Sequence, residues 1–176
     1  MESEEQLPEV LKPIADKIPD YLFYLMFHAT RQREMAFDAA LADVGLNINR
    51  LRTLSVIQRL NGCTMKDLAR LTAIDRTTLT RAVDQLVEQG LVERSTPAGD
   101  RRKVQMCLSP EGEAFYREAT QLIDDFNRRA LAGVGRRQQV ELLQVLNTVI
   151  RNISGDSELA HELITFGGLD RHRAVA

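Results

Sequence analysis

Residues 75–90 read Asp-Arg-Thr-Thr-Leu-Thr-Arg-Ala-Val-Asp-Gln-Leu-Val-Glu-Gln-Gly. Leu79, Ala82, Val83, Leu86 and Val87 recur at three- and four-residue spacing, the period of a helix that buries one stripe. Asp75 can accept from the unpaired amides of the first turn, and Gly90 supplies the stop. Opposite the stripe stand Thr77, Arg81, Asp84 and Glu88, with Thr80 and Gln85 at its margins. Small hydroxyls let a helix approach a groove wall closely. An arginine there reaches phosphate or bonds a guanine edge in bidentate fashion, and helix N-terminal amides favour phosphate. This chemistry suits a recognition helix, with Arg76, Thr77, Thr78, Thr80, Arg81, Asp84 and Gln85 as its DNA-facing candidates.

Upstream, Thr64 followed by Asp67 resembles a capping box with Asp replacing the longer acid, and Leu68, Ala69 and Leu71 give a brief helix one apolar face. Two helices joined by Thr72-Ala73-Ile74 form a helix-turn-helix candidate. Before them, Asn47 or Asn49 can cap a helix holding Leu51, Leu54, Val56, Ile57 and Leu60 and ending at Asn61-Gly62. Downstream, Leu91-Val92-Glu93-Arg94 reads as a strand, and Val104, Met106 and Leu108 put apolar groups on one face of another. Pro97-Ala98-Gly99-Asp100 is the expected hairpin tip, followed by Arg101, Arg102 and Lys103, a basic wing. Three adjacent basic residues in a turn are ordinarily a solvated surface. The order of helix, tight turn, hydroxyl-bearing helix, strand and basic hairpin in one stretch is what favours DNA.

Charge follows the same division. The 176-residue chain is nearly neutral, net −2, but residues 50–103 hold 11 Lys+Arg against 6 Asp+Glu, leaving 12 against 19 elsewhere. A basic centre lies between acidic flanks. Hydrophobic residues at 44% suffice for a core. Cys63 and Cys107 are too few for a disulfide framework, and both read as inert thiols. The longest apolar run, Tyr21 to Phe27, is too short for a membrane span, and the acidic start lacks a basic leader. A cytoplasmic location is expected, without a membrane partner.

Pro8, Pro13 and Pro19 interrupt the first twenty residues, an acidic arm. From Pro19 to Asp43 the pattern is helical, with Leu22, Leu25, Met26, Ala29, Ala36 and Ala40 as its stripe. Tyr21, Phe23, Tyr24 and Phe27 make its first turns apolar all round, so either a partner subunit or the chain's own core covers them. Ser109 caps and Pro110 opens a helix through Phe115, Ala119, Leu122, Phe126 and Ala130. The last long helix, Arg136 to Ile153, carries Leu142, Leu143, Leu146, Val149, Ile150 and Ile153 at heptad-like spacing. Residues 156–166 could add one short helix before a polar tail. The fold class is mainly α with a small β-hairpin wing.

Thr64, Asp67-Leu68-Ala69, Asp75 to Arg81, Leu86, Gly90-Leu91-Val92, Arg94, Asp100-Arg101-Arg102 and Leu108-Ser109 with Gly112 together resemble the MarR family of winged-helix transcription regulators. The resemblance implies a homodimer on double-stranded, pseudo-palindromic operator DNA. It divides the chain into an arm (1–18), a helical dimerisation region (19–46 and 110–155), a winged helix-turn-helix domain (47–109) and a C-terminal extension (156–176). It further implies that Asp75 pairs with a wing arginine, Arg102 being the one expected, so that Asp75 and Asp100 position the wing. Members commonly act as repressors that release DNA when a small anionic or aromatic effector enters a cleft. By position, that cleft would draw on Tyr24, Phe27, His28, Arg31, Asn49 and Arg52. Some members sense peroxide through a cysteine near the N-terminus, whereas no cysteine precedes residue 63 here.

Other classes find less support. No Gly-x-Ser-x-Gly, phosphate-binding glycine loop or His-Glu-x-x-His occurs, so no enzyme, catalytic residue or cofactor is expected. His28, His161 and His172 lie far apart without zinc spacing, so no metal is expected either. A winged-helix module that binds protein instead of DNA is the alternative, and the basic wing argues against it.

Overall fold

In the computed structural model of the protein, residues 8–9, 12–42, 44–96 and 103–168 are described. They fall into two compact units, Met1–Ile48 and Asn49–Ala176.

The first unit holds a 3-10 helix, Lys12–Lys17, that runs into the long helix α1, Ile18–Ala42. Its buried anchors are Phe37 and Leu41, one turn apart. This corrects the expected stripe: Leu22, Leu25, Ala29, Ala36 and Ala40 are exposed and Met26 is half-buried. Periodicity fails in the first turns because nearly every position there is apolar, so no face stands out. Gly45, with φ +70°, turns the chain after α1. The Ile48 amide then donates to Asp38 Oδ1 at 2.6 Å, fastening the turn back to the helix.

The second unit opens with α2, Ile48–Leu60, whose Leu51, Leu54, Val56 and Ile57 are buried. The helix starts directly after Asn47, and Asn49 lies inside its first turn, where its carbonyl accepts from buried Thr53 Oγ1 at 2.8 Å. Asn61 (φ 49°) and Gly62 (φ 109°) reverse the chain in left-handed conformations that these residue types adopt at little cost. Helix α3, Met65–Thr72, begins with the anticipated capping box: the Thr64 amide donates to Asp67 Oδ2 at 2.8 Å and the Asp67 amide to Thr64 Oγ1 at 3.3 Å. It closes on Ala73 in the left-handed region (φ 54°, ψ 30°), and after a three-residue turn α4 runs from Arg76 to Glu88.

Burial raises the Asp67 carboxyl, but hydrogen bonds from Thr64 outweigh it and hold the group below the ordinary carboxylate range. The sign follows: stability from this box is complete above the unfolded value and is lost as pH falls through the lowered folded one. Asp67→Asn is therefore expected to shrink the drop in thermal midpoint between pH 7 and about pH 3, where carboxylates protonate. Parallel melts of variant and wild type across that range check it; identical drops would mean that the box contributes no acid sensitivity.

Strands β1, Val92–Ser95, and β2, Gln105–Leu108, pair antiparallel with Val92 opposite Leu108 and Arg94 opposite Met106. Both expected strands exist, shifted by one residue. Val104 precedes β2 and is exposed, while Met106 is buried. Cys63 exchanges backbone hydrogen bonds with Met106 in both directions, at 3.0 and 2.8 Å, so the residue before the helix-turn-helix joins the wing. Helices α5 (Pro110–Ala130), α6 (Arg136–Ile153) and α7 (Ser157–Gly168) complete the described residues. The second unit's core is one set of buried side chains: Leu54, Ile57, Leu68, Leu79, Val83, Leu86, Val92 and Met106. Helix α6 buries none of its residues, and Leu142, Leu143, Val145 and Ile153 are half or more exposed.

Candidate nucleic-acid interface

Burial sorts α4 into two faces. Leu79, Ala82, Val83 and Leu86 are buried, whereas Arg76, Thr77, Thr80, Arg81, Asp84 and Gln85 are exposed and Thr78 is half-buried. The threonine-rich flank is therefore open to an approaching surface. Asp75 caps the helix, accepting from the Thr78 amide at 2.9 Å, and hydrogen bonds from Thr78 lower its pKa. Thr80 Oγ1 donates to the Arg76 carbonyl at 2.8 Å, which satisfies its proton inside the helix and leaves the oxygen as an acceptor.

The far end is fixed as firmly. Gly90 takes φ +70°, its amide donates to Val87 O at 3.0 Å and the Leu91 amide to Leu86 O at 2.9 Å, a double bond pattern that closes the helix. Ser109 then gathers three elements. Its hydroxyl donates to the Gly90 carbonyl at 2.6 Å and accepts from the Gly112 amide at 2.9 Å, while its own amide donates to Leu91 O at 3.2 Å. One buried serine thus joins the end of α4, the entry to β1 and the first turn of α5.

Asp84 has a partner that its place on the outer face does not reveal: Arg94 Nη2 of β1 donates to Asp84 Oδ1. The pair is about half exposed, so its energetic weight is small, but it orients β1 toward the helix and occupies the one carboxylate among the DNA-facing candidates. Arg94 escaped the sequence reading of the interface because no local period relates residue 94 to residue 84 across a helix stop. Lys103 is exposed at the foot of β2. Asp100, Arg101 and Arg102, with the hairpin tip 97–99, lie outside the described residues, so the expected pairing of Asp75 with Arg102 falls there too.

The two thiols are free. Burial, aided by the nearby charges of Asp67 and Cys107, pushes the Cys63 thiol up to about 12, which keeps it protonated at neutral pH. Cys107 is half-buried, with Sγ 3.7 Å from Ser95 Oγ.

The residues expected to line an effector cleft divide between the units. On α1, Tyr24 and Phe27 are exposed around half-buried His28, with ring centroids 4.3 and 5.2 Å from the imidazole. Arg31 shares an open groove of about 350 Å³ along the same helix with Phe23, Met26, Phe27, Thr30 and Glu34. Asn49 and Arg52 belong to the second unit, and both are half-buried on α2. Among the described residues no helix is long and apolar enough to cross a membrane.

Known proteins share this arrangement. The MarR family pattern matches residues 44–103, the span from the turn before α2 to the foot of the wing. The winged region, residues 44–103, is of the MarR family type. Among solved structures, a MarR family transcriptional regulator from Silicibacter pomeroyi is 29% identical, covers 78% of this chain and 92% of its own, and superposes with a TM-score of 0.71. A cysteine-to-serine mutant of MarR from E. coli, complexed with operator DNA, is 23% identical, covers 77% and 96%, and has a TM-score of 0.66. BpsR from Bordetella bronchiseptica, whose DNA binding is regulated by 6-hydroxynicotinic acid, is 22% identical, covers 73% and 98%, and also has a TM-score of 0.66. The match and these neighbours support a DNA-binding transcriptional regulator.

Proposed function

We propose that this MarR family protein is a homodimeric repressor that reads a pseudo-palindromic operator and is released by a small aromatic or anionic ligand. The observation that carries the reading is the exposed face of α4, where Thr77, Thr80 and Arg81 stand clear of a helix whose opposite face is buried. In this reading Arg76, Thr77, Thr78, Thr80, Arg81 and Gln85 meet the major groove, and Arg101, Arg102 and Lys103 meet the backbone and the adjacent minor groove. Asp84 serves at the margin, holding β1 through Arg94.

Two features support a dimer. Tyr21, Phe23, Tyr24 and Phe27 on α1 and Leu142, Leu143, Val145 and Ile153 on α6 are large apolar side chains left exposed by a single chain. A two-fold partner covering them would set two reading helices about one helical turn, roughly 10 bp, apart. The aromatic cluster of Tyr24, Phe27 and His28 with Arg31 nearby offers walls and a donor for an aromatic acid, the chemical class that regulates BpsR. Such a ligand releases DNA only by favouring a dimer whose two α4 helices are wrongly spaced or tilted.

Gel-shift titration against fragments from upstream of its own gene tests the operator. A discrete complex with one fragment, weakened steeply by salt, is expected; equal affinity for every fragment would count against sequence reading. A salt-insensitive complex with another polypeptide in place of DNA would favour the protein-binding alternative. Aromatic acids that raise the thermal midpoint and also release the fragment would identify the effector class.

A further inference from the structure

We infer that α7 is an intramolecular latch that clasps α2 and α3 and so ties the helix-turn-helix to α6. This rests on the DNA-reading function above and adds a structural control to it. The helix follows α6 after a short turn that is itself bonded. Ser154 Oγ donates to Asp156 O at 2.7 Å, and Asp156 Oδ1 accepts from the Leu159 amide at 2.9 Å, capping α7 from the position just before it. The turn leaves little slack.

Two cations from the helix-turn-helix side meet the helix. Arg70, in the last turn of α3, reaches Glu158 at 3.7 Å and Glu162 at 3.3 Å, carboxylates one helical turn apart on the same face. Arg59, in the last turn of α2, donates to the Phe166 carbonyl and lies 4.6 Å from the centroid of the Phe166 ring. Between these contacts Ala160 is buried, so the backbone of α7 packs closely. Glu158 is largely exposed, and its ion pair alone would count for little. The strength lies in the combination: two anchors on separate helices fix both ends of α7, which a single surface pair cannot do.

The consequence is preorganisation. α3 carries the turn that aims α4, and without the latch that turn would have to be ordered against α6 at the moment of binding. Holding it beforehand lowers the entropic cost of engaging an operator.

The test uses the full chain with Glu158→Gln, Glu162→Gln and Phe166→Ala combined. Amide hydrogen exchange is expected to quicken across residues 157–166 while the buried turns of α2 and α4 keep their protection. Operator affinity is expected to fall roughly three- to tenfold. Arg70→Glu should weaken the latch alone, and Arg70→Glu with Glu162→Arg should recover part of the loss. Rapid exchange of α7 in the unmodified protein would overturn the latch itself. Operator affinity that is unchanged or higher in the triple variant would overturn its role in reading. If the unmodified protein bound no upstream fragment, the operator reading would fail instead, and exchange would still decide whether α7 is docked.

Discussion

Gly112→Ala is expected to cost about 3 kcal/mol or more of folding stability, because overpacking against backbone has no cheap relief. A Cβ at this position would lie 2.0 Å from the Leu91 carbonyl oxygen and 2.9 Å from its carbon, distances at which backbone must move. Leu91 cannot retreat easily, since its amide is bonded to Leu86 and its carbonyl accepts from Ser109. In an exposed helix the same substitution would stabilise by about 1 kcal/mol through propensity alone, so the expected sign is opposite to the intrinsic one. Urea titration followed by circular dichroism separates the two. A midpoint equal to or above that of the unmodified protein would show that α5 and the α4 exit do not approach so closely in solution.

Arg81→Ala should cost on the order of 1 to 3 kcal/mol of operator binding and loosen discrimination at one base position, if the side chain makes a base-edge contact. Folding stability should hardly change, because Arg81 is exposed on the face away from Leu79, Ala82 and Val83. Arg101→Ala offers a contrast if, as proposed, that residue meets phosphate: binding should weaken across all sequences and the salt slope should flatten by about one. Competition assays with single-base operator variants distinguish the two patterns. Uniform weakening for both variants would remove Arg81 from base reading and leave it on the backbone.

The winged region was legible because its signals are local. The Thr64–Asp67 box, the stripe of α4, the Gly90 stop and the Ser109-Pro110 start each rest on residues within a few positions of one another, and all appear in the structure. What escaped depends on chain segments brought together from a distance. Ser109 read only as a helix cap, yet its hydroxyl also holds Gly90, nineteen positions earlier. Cys63 read as an inert thiol, yet its backbone extends the wing through Met106. The stripe of α1 was misplaced for another reason. A helix made to be covered on several sides carries apolar groups all round, and spacing alone then cannot separate Phe37 and Leu41 from Leu22 and Leu25.

The buried serine at the head of α5 makes that helix a lever whose pivot is the exit of α4. α5 is 21 residues long, about 30 Å at the usual rise, so a swing of about 10° carries its distal end through roughly 5 Å, more than one base-pair step. Run in reverse, a displacement of a few ångströms where α5 leaves the winged domain returns as a small tilt beside the DNA. If α4 reads DNA as proposed, a joint of one hydroxyl and four backbone groups would make groove register sensitive to events far from the groove.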